Sequence, residues 1–581
     1  MPGRAVGIDP RAALSVIIHG VRRVIRAAEM REIDRLTTER YATPSLLLME
    51  AAAHAAAMAI AARFPGGLSD KTARVVCGRG NNGGDGAALA RALWLSGMRA
   101  DVVLLGRVED TGGDARVNFE IVRHLASFEA GSRQSPPPLT FFECETVADW
   151  EEIARPRRSY DVIVDALFGT GLSRTLEGIP LQVVEHLALL RQARERTPEA
   201  EPLIVSLDIP SGLDADSAEV LGEAVRADLT VTFTAPKPAN VLPPASHYNG
   251  QLVIADIGSP PALLEATPSS LFLTEDRDAR RWLIATRYQP GSYKNTHGHA
   301  LLIAGSRGMT GAAVLCANAA MRAGTGLVTV ATPESAHASV AARLMPEVMT
   351  LALPETSAGA VSFEAVERVL ELQERVSVIA VGPGLTVEDE ATRRFVRALV
   401  ERRERPLILD ADGLNALAPW PEELRGSHER PLILTPHPGE MRRLVGADEA
   451  TGEKASLSDR VAAAREFASR HSLILVLKGT RTLVASPEGR VYINPTGNPG
   501  LGTAGAGDTL TGIITGFNAQ AFSTLKDEAD ALEATIAAVY VGGMAGDLAA
   551  GAGGMRSITA SEIREHLGAA FRSLDPEGER P

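Results

Sequence analysis

Short runs of aliphatic and β-branched residues alternate along this chain with longer stretches rich in Ala, Leu, Arg and Glu, a pattern that predicts parallel β-sheets covered by helices. In the first half RVVCG, DVVLLG, YDVIVDALFG, PLIVSLDIPSG, LTVTFTA and GQLVIADIG predict strands. In the second half HALLIAGS, GLVTVATPE, VSVIAVGPGL, RPLILDAD, RPLILTPHPGE and SLILVLKGTRTLV do so. Nearly all end in Gly, Asp, Pro or Thr, so polar groups gather at the carboxyl ends of strands, where open α/β sheets bind ligands. From Ile257 to Trp282 no clear sheet pattern persists and Pro and Ser cluster, which sets the expected domain boundary near 265–280. The prolines of AGSRQSPPPL, residues 130–139, cannot join a central strand and predict a surface loop.

The chain's 581 residues exceed a single core and imply roughly two to four domains. Its 59 Lys and Arg against 72 Asp and Glu give a formal charge of −13, so no field gathers nucleic acid or anionic membrane, and an anionic ligand must be held by local groups. Cys77, Cys144 and Cys316 lie far apart without metal-ligand spacing, which suits a reducing compartment and buried thiols. The opening MPGRAVGIDPRAALSVIIHGVRR has no signal-like apolar run, and no downstream stretch reads as a membrane span of about 18 apolar residues. A cytoplasmic protein is expected.

Candidate chemistry begins at GRGNNGGDG, Gly78 to Gly86, which contains a literal GxGxxG before a predicted helix. A dinucleotide fingerprint also wants an acidic residue at the far end of the next strand, about 20 residues on. Here Asp101 precedes VVLLG, and Asn81, Asn82 and Asp85 crowd the turn. A carboxylate repels phosphate unless positive charge intervenes, so this turn suits a cation or a polar ligand. DALFGTGLSR and SLDIPSGLDAD set Asp165 and Asp208 at two further strand ends, where helix capping or turn formation is the plainer alternative for either alone.

These motifs, with EMREIDRLTTERYATPSLLLMEAAA and TFTAPKP, resemble the NAD(P)H-hydrate epimerase domain of the YjeF N-terminal family over residues 25–265. The resemblance implies an α/β, Rossmann-like three-layer fold and a potassium ion held by Asn82, Asp165 and Ser211. It implies contacts to the hydrated cofactor from Asn81, Asn82, Gly83, Gly84 and Asp85, from Gly169, Thr170, Gly171, Leu172, Ser173, Arg174 and Thr175, and from Asp208. The implied reaction interconverts the R and S hydrates at C6 of the reduced nicotinamide ring. Asp208 is the first candidate to take and return a proton, and Lys237, otherwise a solvated lysine, is the second. LMEAAA, with Ala51 and Ala53, departs from the LMENAG frequent in that family.

In the second half NPGLGTAGAGDTLTG, Asn498 to Gly512, lies between a predicted strand pair and a predicted helix. Backbone N–H groups at such a helix start are unpaired, the helix dipole favours an anion, and only glycine lets the anion approach closely. No GxxxxGK[ST] occurs, which excludes a P-loop enzyme. GAGD, which includes Gly505, Gly507 and Asp508, instead resembles the anion hole and catalytic aspartate of ribokinase-like kinases. KGTRT supplies a cation and hydroxyls, TPHPGEM sets His437 and Glu440 in a stiff loop, VGPGL offers backbone to a flat ring, and LDADGLNAL puts Asp410 and Asp412 at a strand end.

With KNTHGHALLIAGSRGMTGAA and AMRAGTGLVTVATP, these motifs resemble the ADP-dependent NAD(P)H-hydrate dehydratase of the YjeF C-terminal family over residues 278–575. The resemblance implies a ribokinase-like three-layer domain in which Ala300, Gly384, His437 and Asp508 meet the hydrate, while Lys478, Gly479, Thr480, Arg481, Thr482 and Gly507 meet the nucleotide. Asp508 is the expected base, ADP the co-substrate and Mg²⁺ the accompanying ion. Expected partners are NAD(P)HX, ADP and further copies of the chain, with no nucleic acid and no membrane. Rival readings are a hydroxymethylpyrimidine- or thiazole-type kinase fused to a cofactor-binding domain, an NAD-dependent dehydrogenase, and a non-catalytic binding protein.

Overall fold

The computed structural model describes residues 22–130, 138–155, 159–196, 202–446 and 459–578. Most of the proline-rich stretch at 130–139 lies outside them. The chain forms two compact units, Arg23–Ser269 and a second built mainly from Ser270–Pro581.

In the first unit seven strands pair in parallel: β1 (Thr72–Cys77), β2 (Arg99–Leu105), β3 (Leu139–Cys144), β4 (Val162–Ala166), β5 (Leu203–Leu207), β6 (Leu229–Phe233) and β7 (Gln251–Ala255). Their order is β3-β2-β1-β4-β5-β6-β7, the doubly wound Rossmann arrangement whose sequence reverses between β1 and β4. Residues of β1 and β4 are buried almost throughout, as strands covered on both faces must be. β3, which no predicted run covers, corrects the end of the expected surface loop: Leu139 is its buried first residue, and the strand takes the sheet edge, a position that tolerates a proline-rich neighbour. Asp101 lies within β2 rather than ahead of it, where it accepts hydrogen bonds from the Tyr160 and Thr140 hydroxyls. Its work is structural.

The second unit carries β8 (Leu271–Leu273), β9 (His299–Ile303), β10 (Leu327–Pro333), β11 (Met349–Leu353), β12 (Val378–Val381), β13 (Leu407–Leu409), β14 (Leu432–Leu434), β15 (Ile474–Leu477), β16 (Leu483–Ala485) and β17 (Val491–Ile493). They run in the order β8-β17-β16-β15-β14-β13-β12-β9-β10-β11. The strands from β9 to β15 are parallel, whereas β15, β16 and β17 form an antiparallel meander. Strand β8 arises inside the stretch where no sheet pattern is legible, and it pairs with β17.

The helix Ala531–Gly553 corrects the expectation that no stretch reads as a membrane span. It has 23 residues with a mean hydropathy of 1.3 in its most apolar window, enough by length and composition to cross a membrane. Here it packs against the helices Ala506–Gln520 and Asp276–Ala285, and it carries Asp547 toward the loop that precedes Gly505. Core packing accounts for its composition.

Candidate functional site

In the first unit the reversal of strand order opens a cavity of about 880 Å³ at the carboxyl ends of β1 and β4. Gly78, Arg79, Gly80, Asn81, Asn82 and Asp85 line it after β1, and Leu167 to Gly171 after β4. Asn81 to Asp85 form the first turns of the helix Asn81–Leu95, not a loop. Several glycines of GRGNNGGDG serve packing: a Cβ on Gly83 would lie 1.8 Å from the Gly78 carbonyl oxygen, and one on Gly86 2.6 Å from the Ala166 methyl. The turn thus lets the helix sit hard against β4, while Gly80, where a Cβ would meet nothing within 4 Å, leaves the mouth of the turn open.

Asp208 follows β5 with φ +61°, a strained conformation for a non-glycine residue and one that recurs at functional sites. Its Oδ1 accepts hydrogen bonds from Lys237 Nζ at 2.5 Å and Thr232 Oγ1 at 2.9 Å. The Lys237 ammonium also donates to Thr232 Oγ1 and the Phe233 carbonyl, both at 3.1 Å, and the residue is 1% exposed. Lys237 is therefore no solvated lysine, and with three acceptors placed it holds Asp208 as an ion pair. The structure brings the two acid–base candidates into contact.

Sequence reasoning missed Asp34, on the helix Ala27–Tyr41, whose Oδ1 is buried without a hydrogen-bond partner. Burial pushes its carboxyl up to about 6, with the Asp208 charge adding and the Lys237 charge opposing. Burial and the charges of Asp208 and Asp34 likewise push Asp85 well above the usual carboxylate range. The next helix, Ser45–Ala61, contributes Ser45, Leu48, Met49 and Ala52 to the lining despite its departure from the family pattern. Of the expected Gly169–Thr175 contacts, Gly169, Thr170 and Gly171 line the cavity. Leu172 packs into the core, while Ser173, Arg174 and Thr175 are exposed outside the lining; Gly83 and Gly84 are buried in the helix.

The oxygens expected to hold potassium meet on the Phe168–Gly169 segment. Ser211 Oγ accepts from Phe168 N at 3.0 Å and donates to Asp165 Oδ1 at 2.6 Å. Asp165 also accepts from Ser206 Oγ, Ser211 N and Leu167 N, and these bonds oppose the upward push of burial on its carboxyl. Asn82 lies against Gly169 with both side-chain polar atoms buried and unpartnered. A buried amide oxygen without a donor, next to Gly169, whose preceding residue Ser211 holds, is an acceptor that a weakly hydrated monovalent cation fits.

In the second unit Gly505, at φ +82°, lets the chain turn into the helix Ala506–Gln520, and Asp508 occupies its first turn. Among the described residues no protein acceptor is found for the Gly507 and Asp508 N–H groups. At the end of β15, Lys478 Nζ lies 3.5 Å from where a Gly507 Cβ would stand. Burial, together with the Asp410 charge, pushes the Asp508 carboxyl up to about 6, and Lys478 pulls the other way. Lys478 is fastened to Asp410 Oδ1 at 2.6 Å and lies 3.8 Å from Glu440. Asp410 also accepts from Thr435 Oγ1 and, at 2.7 Å, from Thr511 Oγ1 on the Asp508 helix. A free carboxylate, a held ammonium and two open amides thus converge.

Other residues distribute unevenly. His437 caps the short helix Pro438–Leu444, its Nδ1 accepting from Gly439 N at 2.9 Å, which leaves a neutral ring's proton on the half-exposed Nε2. Glu440 accepts from His437 N, and Asp412 from Thr386 N. Gly384, at φ +65°, follows β12, where strand order reverses beside β9. Gly479, Thr480, Arg481 and Thr482 form the β15–β16 turn, which Arg460 steadies through the Thr480 carbonyl. Ala300 is fully buried in the core at the second position of β9, so the structure does not bring it to the other candidates. Among the described residues no group of three His, Cys, Asp or Glu side chains is placed to hold a metal.

A family profile described as NAD(P)H-hydrate dehydratase matches residues 300–568, and one described as YjeF-related protein N-terminus matches residues 45–239. The chain is similar to the bifunctional NAD(P)H-hydrate repair enzyme Nnr of Moorella thermoacetica, 39% identical over 556 residues that cover 96% of this chain and 98% of that one. Its counterpart in Thermofilum pendens is 38% identical over 554 residues, covering 95% and 97%. Among solved structures, the ADP/ATP-dependent NAD(P)H-hydrate dehydratase of Bacillus subtilis, co-crystallised with ATP/Mg²⁺, is 31% identical and covers 52% of this chain and 98% of its own, with a TM-score of 0.43.

Proposed function

The chain belongs to the family of bifunctional NAD(P)H-hydrate repair enzymes, and from that premise we propose that residues 25–265 interconvert the R and S hydrates of NAD(P)H while residues 278–575 dehydrate the S form with ADP, releasing AMP and phosphate. The observation that carries the second activity is Asp508, half-buried and free of a salt bridge, one residue from the open Gly507 amide and facing Lys478. Hydroxide leaves a ring carbon poorly. Asp508 takes the proton of the C6 hydroxyl as its oxygen attacks the terminal phosphorus of ADP; the Gly507 and Asp508 amides and Lys478 balance the charge on the moving phosphoryl group. The C6 phosphate then departs, pushed by the ring nitrogen, and loss of the C5 proton restores the dihydronicotinamide.

Asn82, Asp165 and Ser211 would hold potassium in the first unit, where the ion would fix the segment around Phe168 and Gly169. The second unit suits Mg²⁺ carried on nucleotide phosphates, since Asp410 is already committed to Lys478, Thr435 and Thr511. Lys478 to Thr482 form the nucleotide side of the cleft, and Gly384 and His437 the hydrate side.

The test supplies separated R and S epimers of NADHX with ADP and Mg²⁺ and follows the absorbance of the dihydronicotinamide. The proposal expects both epimers to be recovered, with one AMP and one phosphate per NADH formed. A stable phosphorylated hydrate without NADH would instead mark a small-molecule kinase.

A further inference from the structure

Of the carboxylates that line the first unit's cavity, Asp34, Asp85 and Asp208 feel the ammonium of Lys237, whose protons are already committed to Asp208, Thr232 and Phe233. Lys237 and Asp208 come from the β5–β6 side, whereas Asp34 arrives on the helix Ala27–Tyr41, with Oδ1 sealed from solvent and unbonded. A buried, unpartnered carboxylate is expensive unless it keeps its proton or meets a ligand that shares one. Building on the epimerase reading, we propose that Asp34 is the second acid–base group of this site, giving a proton to the departing C6 hydroxyl while Asp208 takes one from the water that replaces it.

Inversion at C6 needs no hydrogen removed from carbon, because that carbon bears both the hydroxyl and the ring nitrogen. The Asp34 proton passes to the hydroxyl oxygen, the C6–O bond breaks to release water, and the nitrogen lone pair closes a C6–N double bond. Water then adds to the other face of C6 and loses a proton to the Asp208 carboxylate, and the π pair returns to nitrogen. The net change inverts C6 and moves one proton from Asp34 to Asp208; exchange with solvent resets the pair.

Asp34 fits the donor's part better than Asp85. Of the two, Asp34 has a carboxylate oxygen buried and unbonded in the cavity, and a group pushed up to about 6 can release and regain a proton near neutrality. Charged groups lining the cavity around Asp34 are Arg31 on its own helix, Arg79 and Asp85 after β1, Asp110, Asp114 and Glu145 at the far wall, and the Asp208–Lys237 pair.

The experiment uses the full chain without ADP, so that the dehydratase is silent, and follows conversion of the R epimer of NADHX to the S epimer by chiral separation. Asp34→Asn is expected to lower kcat by about 100-fold or more with KM within threefold, and Asp34→Glu to recover at least a tenth of the loss. In the wild type kcat falls as pH rises above about 6, and that limb disappears in Asp34→Asn. A kcat within threefold of wild type in Asp34→Asn, a loss confined to KM, or an alkaline limb that survives the substitution overturns the role of Asp34. A wild-type chain that does not interconvert the epimers overturns the epimerase reading instead, and the proposal falls with it.

Discussion

Two glycine-rich turns, each between a buried strand and a helix, reach opposite ends in this molecule. In GRGNNGGDG a Cβ on Gly78, Gly83, Gly84 or Gly86 would collide with neighbouring backbone or side chains, and Gly80 alone of its glycines borders open space. In GAGD the glycine beside Asp508 borders open space, with only the Lys478 ammonium near it. The carboxylates differ in parallel: Asp208 is bound to a lysine, whereas Asp508 stands free and the neighbouring lysine is held by Asp410 instead. A glycine pattern thus fixes the path of the chain, and the space in front of it decides whether an anion can enter.

The largest effect is expected at the free carboxylate. Asp508→Asn should lower recovery of NADH from either epimer by about 10²- to 10⁴-fold while epimerisation proceeds unchanged, which chiral separation and absorbance read together. Lys237→Met leaves Asp208 buried without its counter-charge, and the first unit should lose roughly 3–5 kcal/mol in denaturant melts. The glycines give the sharpest contrast. Gly83→Ala should destabilise the first unit by about 1–3 kcal/mol, whereas Gly507→Ala should melt like the wild type and lower the dehydratase kcat. A Gly507→Ala variant with full activity would dissolve the contrast.

A pH profile separates the sites next. Asp508 must be ionised to take a proton, and its carboxyl is pushed up to about 6, so kcat/KM for the S epimer should be level above that pH and fall tenfold per unit below it. Smallest is Thr511→Val, which removes one hydrogen bond to Asp410 and should cost about 1 kcal/mol of second-unit stability.

Much of this was legible beforehand. The long aliphatic runs are strands, and Asp165, Asp208 and Asp508 stand at strand ends or a helix start as their motifs require. Strands β3, β8 and β11 escaped: β8 and β11 are short and lack the long buried run that marks the central strands, and β3 is a half-covered edge strand that starts inside the proline-rich stretch. Asp34 escaped for a different reason: as one acidic residue on a charged helix, it becomes a cavity group only when the helix is docked near Asp208, 174 positions along the chain. His437 carried a signal that admitted two uses, and its Nδ1 went to capping a helix.

Asp410 gathers Thr435, Lys478 and Thr511, which follow it by 25, 68 and 101 residues. A nascent or truncated chain that lacks the helix Ala506–Gln520 therefore holds an anion whose last hydroxyl donor has not arrived. The phosphoryl-transfer centre is among the final parts of its unit to become competent, and fragments should carry none of its activity in proportion to their length.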